Sequence, residues 1–195
     1  MVITGSLKIT SGQQENTINN RNVTKESVSD ESVCMQERRI IMSIERVREY
    51  LKKYQLENRI MEFDQSSATV DLAAEALGVE PDRIAKTLSF QKEEGCILVV
   101  AAGKHKIDNK KFKQTFSMKA KMLSFEDALR LTGHAVGGVC PFDLPDGVPV
   151  YLDESLKAYD IIFPAAGSSN SAVKLTPKEL EESSHAEGWV DVCKL

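Results

Sequence analysis

The sequence predicts an α+β fold, a mixed, barrel-like β-sheet surrounded by short helices. Three observations carry that prediction. Short apolar runs of period two alternate irregularly with short stretches of helical period. No regular β-α-β spacing and no Gly-rich dinucleotide loop occurs, which excludes the doubly wound nucleotide-binding folds. The 195 residues are 42% apolar and 28% charged, enough for one domain with a sizeable core.

Residues 1–41 are rich in Ser, Asn, Gln, Thr and Glu without a sustained period, and read as a flexible tail or extension. The single folded domain is expected over 43–195. Ser43 is a cap for a helix with Ile44, Val47, Leu51 and Tyr54 on one face. A strand follows over 59–63. Thr69 caps a helix from Val70 to Leu77, with Leu72, Ala73, Ala76 and Leu77 inward and Gly78 at its stop. Pro81 opens one turn that leads into Ile84-Ala85-Lys86-Thr87-Leu88-Ser89-Phe90. The runs 87–90 and 96–102 form a hairpin around Gln91–Gly95. Asp108 caps a helix to about Phe116, and 121–123 is a short strand. Ser124 with Asp127 opens a helix that ends at Gly133. An extended 135–139 enters the Gly137-Gly138 loop. Strands are expected at 148–152, 161–163 and 172–175. Thr176-Pro177-Lys178-Glu179 is a capping box with proline in the first helical position, and 189–193 closes the chain as a strand.

The net charge of −4 argues against indiscriminate nucleic-acid binding by bulk charge. Cys34, Cys96, Cys140 and Cys193 match no zinc module and read as free thiols rather than a disulfide framework. With no apolar run of membrane-spanning length and no leader pattern, a reducing cytoplasmic location is the default expectation, with no membrane partner.

Six groups are candidates for chemistry. Lys86 shares a strand face with Ile84, Leu88 and Phe90, all of which favour burial. Either its stem covers core while its head reaches water, or it is a fixed cation for a phosphate or carboxylate. Gly137, Gly138, Val139, Cys140 and Pro141 form either a tight turn or a clamp whose bare N–H groups polarise a carbonyl. His134 and Cys140 allow a thiol-hydrolase reading. Otherwise Cys140 is a small pocket wall. Ser67 and Thr69 offer hydroxyls for a cap or a ligand, and Gly167-Ser168-Ser169-Asn170-Ser171 is a hairpin turn or a flap over a bound group. The segment 104–121 carries Lys104, Lys106, Lys110, Lys111, Lys113, Lys119 and Lys121, a solvated face or a partner for a phosphate backbone.

Ala73-Ala74-Glu75-Ala76-Leu77-Gly78-Val79 leading to Ile84-Ala85-Lys86-Thr87-Leu88, then Gly137-x-x-x-Pro141, then Gly167 before Leu175-Thr176-Pro177, resembles the YbaK/ProX family of aminoacyl-tRNA deacylases from about Ser43 to the C-terminus. The resemblance implies hydrolysis of the ester joining a wrong small amino acid, such as alanine or cysteine, to the 3′ end of proline tRNA. It implies that Lys86 holds the terminal adenosine and its phosphate. The backbone of Gly137 and Gly138, braced by Pro141, would hold the aminoacyl carbonyl. An attacking water, assisted by a substrate ribose hydroxyl, would need neither metal nor cofactor. The implied partners are aminoacylated tRNA and prolyl-tRNA synthetase, not DNA. Some relatives that clear alanine carry a histidine in the late glycine turn, where this chain has Ser168-Ser169-Asn170-Ser171. The alternative to catalysis is a module that binds tRNA or a synthetase without turnover.

Overall fold

The computed structural model describes residues 43–195. The tail reading over 1–41, and Cys34 with it, lies outside the described residues. Helix α1 covers 43–52 and buries Ile44, Val47 and Leu51. Ser43 lies within this helix, and its hydroxyl reaches His134 instead of serving as the cap.

The other helices start and stop where local chemistry dictates. In α2 (Val70–Leu77) the Thr69 side chain accepts from the Leu72 N–H, and Gly78 closes the C-terminus in the left-handed conformation. Asp108 caps α3 (Asn109–Phe116) and Ser124 caps α4 (Phe125–Thr132). Thr176 and Glu179 complete the capping box of α5 (Pro177–Ser184). The inward face of α2 differs from expectation. Ala73 and Ala74 are buried, whereas Leu72 is 44% exposed and Ala76 also faces out. With only two turns, the helix is oriented by what it packs on, the Ile84 and Phe163 side chains, rather than by its own period.

The strands among the described residues are β1 (Ile60–Glu62), β2 (Ile84–Gln91), β3 (Cys96–Ala102), β4 (Lys106–Ile107), β5 (Val150–Asp153), β6 (Phe163–Pro164), β7 (Ser171–Val173), β8 (Gly188–Val190) and β9 (Cys193–Lys194). The main sheet has the order β6-β2-β3-β5-β8 and is mixed. The β2–β3 hairpin is antiparallel, whereas β6, β5 and β8 add in parallel. Bridges Ile162↔Leu175 and Ala165↔Ala172 continue the ladder to β7, which pairs with β1. β3 is buried at all seven positions and separates two apolar layers. Leu98, Val100 and Ala102 face Leu51, Leu152 and Leu180, while Ile97, Val99 and Ala101 face Phe90 and Phe112. That two-sided burial explains a run with no polar alternation.

Three extended expectations changed. Residues 121–123 contribute one bridge, Phe90↔Met122, and 135–138 is a turn rather than a strand. The expected terminal strand divides into β8 and β9 because Val192 and Cys193 donate their N–H groups to the buried Asp153 carboxylate, at 2.9 and 3.1 Å.

Candidate active site

A gap in the ladder makes the site. β2 pairs with β6 only at Ile84 and Ala85, and its next neighbour on that edge is Met122, opposite Phe90. Between these points the edge of β2 is open. Ser89 O accepts from Leu123 N and Gln91 N donates to Lys121 O, so alternation directs the Thr87 N–H and C=O into the gap. A cavity of about 370 Å³ fills it, lined by Lys86, Thr87, Ser67, Thr69, Gly137 and Val139 and also by Ala73, Ala165 and Ala172.

Lys86 enters from the Ile84–Leu88–Phe90 side of the strand, opposite Ala101. Its ammonium donates to the carbonyl of Gly103, at 2.6 Å, and to that of His105. Two of three donors are therefore held by the loop after β3, leaving one for an anion. Burial is the largest cause of a pKa lowered from the ordinary lysine value, opposed by the nearby Asp82 carboxylate. The loop is itself anchored, since Lys104 N donates to the Asp82 carboxylate at 2.7 Å.

Another part of the lining is a turn. Gly138 N donates to Ala135 O at 2.9 Å, and Gly137 sits in the third position with φ +92°. Expected as a carbonyl donor, the Gly138 N–H is thus committed within the turn. Among the described residues the Gly137 and Val139 N–H groups have no internal partner, and both residues line the cavity. Gly138 has a different task. A Cβ there would lie 2.7 Å from the Ser168 Cα, so the glycine lets the two loops touch.

Gly138, Cys140, Pro141, Gly167 and Ser168 stand behind the wall rather than on it. Ser168 is buried, and its hydroxyl donates to Asn170 Oδ1 at 2.7 Å or Ser171 Oγ at 2.8 Å. Ser169 O accepts from Ser67 N at 2.6 Å, and the Asn170 amide donates to Phe63 O at 3.0 Å. The late glycine turn therefore fixes the 63–69 loop, while Ser171 alone of that stretch reaches the cavity.

His134 and Cys140 form a sealed nest. His134 Nε2 lies 2.9 Å from Phe142 O, which can only accept, so Nε2 carries the hydrogen and Nδ1 accepts from the Ser43 hydroxyl at 3.1 Å. Cys140 Sγ lies 3.5 Å from that same Nε2, which therefore has no lone pair to take the thiol proton. Burial pushes the Cys140 thiol up to about 12 and lowers the His134 pKa. Neither residue reaches the cavity, which removes the geometric basis of a thiol mechanism.

Thr87, Met122 and Leu123 are cavity residues that the sequence did not single out. Thr87 Oγ1 is buried without a hydrogen-bond partner among the described residues, an acceptor and donor at the open edge. Its position directly after Lys86 was the available signal. Among the described residues no group of His, Cys, Asp or Glu is arranged to hold a metal ion. Cys96, Cys140 and Cys193 are free and buried, and no helix there is long and apolar enough to cross a membrane.

Comparison with known proteins identifies the family. Residues 64–183 match the aminoacyl-tRNA editing domain. The uncharacterized protein YwhH of Bacillus subtilis (strain 168) is 55% identical over 154 residues, covering 78% of this chain and 98% of the relative. The proline–tRNA ligase of Lactiplantibacillus plantarum is 26% identical over 125 residues, 64% of this chain but only 22% of the ligase. A crystal structure of a candidate trans-editing enzyme for prolyl tRNA synthetase superposes with a TM-score of 0.72 at 31% identity, covering 78% of this chain and 98% of that one. The chain belongs to the aminoacyl-tRNA editing domain family.

Proposed function

We propose that this chain is a free-standing deacylase that hydrolyses the ester between a wrongly attached small amino acid and the 3′ end of proline tRNA. The observation that carries this reading is a single cavity lined by Lys86 together with Gly137 and Val139. The spare donor of the Lys86 ammonium takes a phosphate oxygen next to the terminal adenosine. The Gly137 and Val139 N–H groups polarise the aminoacyl carbonyl and stabilise the oxyanion that forms when water adds to it. Collapse breaks the bond to the ribose oxygen, which leaves with a proton as a hydroxyl, and the amino acid departs as its carboxylic acid. A neighbouring ribose hydroxyl assists the water, so no protein nucleophile is required. The enzyme works in the cytoplasm beside prolyl-tRNA synthetase.

The small lining residues Ala73, Ala165 and Ala172 favour a small amino-acid side chain in this reading. One methylene is worth only ~1–3 kcal/mol in such a pocket, so neighbouring small residues are cleared at graded rates. The test is release of amino acid from proline tRNA charged with alanine, cysteine, serine or proline. Alanine is expected among the fastest, with proline spared. Binding of all four without release of any would identify a non-catalytic tRNA-binding module instead.

A further inference from the structure

A second concavity, of about 570 Å³, continues the first along the edge of β2. Its walls include Gln91 and Lys92 at the end of that strand, Phe116 and Met118 after α3, and Lys119 and Lys121. The segment 121–123 joins the two hollows, because Lys121 lines the second while Met122 and Leu123 line the first. From Lys86 to Gln91 the strand advances ~17 Å at ~3.3 Å per residue, so the hollows follow one another in a line.

The chemistry of the second hollow is that of a polyanion site with an apolar floor. Phe116 and Met118 are half-buried against the Phe90–Phe112 layer and leave part of their surface open. Lys92, Lys119 and Lys121 are exposed. The ion pairs at the N-terminal end of α3 engage Lys111 with Asp191 and Lys194 with Asp108. Among the described residues, Lys92, Lys119 and Lys121 have no carboxylate partner. Glu93 is the one acid among the lining residues, and Asp127 is close enough to Lys121 to feel its charge. Three cations around an aromatic and a thioether, in a chain of net charge −4, are a local reversal of sign.

We propose that this hollow holds the single-stranded nucleotides that precede the terminal adenosine of the tRNA. Lys92, Lys119 and Lys121 neutralise their phosphates, and the Phe116 ring offers its exposed surface to a base. The proposal rests on the deacylase reading for the identity of the nucleic acid. Charge complementarity and the line of the two hollows along β2 carry the placement. Continuity also sets polarity, with the 3′ end at Lys86 and the chain leaving past Met122.

The experiment compares alanyl-tRNA with a minimal ester, alanyl-adenosine, in the wild type and in Lys119→Glu/Lys121→Glu. The variant is expected to raise KM for alanyl-tRNA at least tenfold while leaving hydrolysis of alanyl-adenosine within about twofold. The salt dependence of tRNA binding should flatten by about 0.7 in slope for each phosphate no longer neutralised. Lys178→Glu on α5, outside the hollow, is the control and should match the wild type. A milder Lys119→Gln/Lys121→Gln should fall between. Equal loss on both substrates, or an equal effect of Lys178→Glu, overturns the proposal. A wild type that hydrolyses neither ester overturns the deacylase reading alone. The hollow is then judged by the dissociation constant of labelled tRNA, and unchanged binding by the double variant overturns the placement.

Discussion

Lys86 and the His134–Cys140 pair are both polar groups set among apolar residues, yet they are built in opposite ways. Lys86 spends two donors on carbonyls and keeps one beside an open cavity. His134 spends both nitrogens, on Ser43 and Phe142, and is wholly buried with Cys140. Burial perturbs the pKa in both places, so a perturbed pKa does not distinguish them. A side chain that lines a cavity and keeps an uncommitted donor does. The nest has a structural task instead, since it ties α1 to the loop that carries Gly137.

The sharpest way to break this contrast is Lys86→Ala. Removing the cation should lower kcat/KM for alanyl-tRNA by ~10²–10³-fold, the scale of one lost stabilising donor. Circular dichroism should show the fold intact. Near-wild-type turnover would move the site elsewhere.

The next effect is on pH, and the two regions should respond at opposite ends of the scale. His134 stays neutral in the fold because burial lowers its pKa, whereas the unfolded chain binds its proton near 6.5. Its contribution is therefore complete above pH 6.5 and declines as pH falls below that value toward the folded pKa. Urea midpoints between pH 7.5 and 5 should fall, and His134→Gln should flatten the trend. Lys86 must be protonated to hold a phosphate, and burial lowers its pKa from 10.5. Turnover, corrected for spontaneous ester hydrolysis, should decline with rising pH from below 10.5.

Cys140→Ala should do least. It removes a buried sulfur at a cost of about 1 kcal/mol, read as a shift in the urea midpoint, and leaves alanyl-tRNA hydrolysis within about threefold. Abolished turnover with an unchanged midpoint would restore the thiol mechanism.

Features set by neighbours in the chain could be read from the sequence. Thr69, Asp108, Ser124 and the Thr176–Glu179 pair cap the helices they were expected to cap, because a cap needs only residues within one turn. Lys86 lies on the strand face with Ile84, Leu88 and Phe90 because period two is local. What long-range pairing creates was not legible. The open edge at Thr87 exists because β6 stops at Pro164 and the 121–123 segment joins late. The commitment of the Gly138 N–H to Ala135 follows from turn closure. The seating of the 63–69 loop on Ser169 and Asn170 follows from hydrogen bonds between segments far apart in the chain.

That interruption of the β2 edge has a thermodynamic corollary. A continuous zipper from β6 to Met122 would add backbone hydrogen bonds, each a net gain of ~0.5–1.5 kcal/mol, and would erase the hollow. The molecule forgoes that cohesion where it needs access. Substitutions selected purely for heat resistance should tend to close the seam, leaving a sturdier protein that no longer admits its ligand.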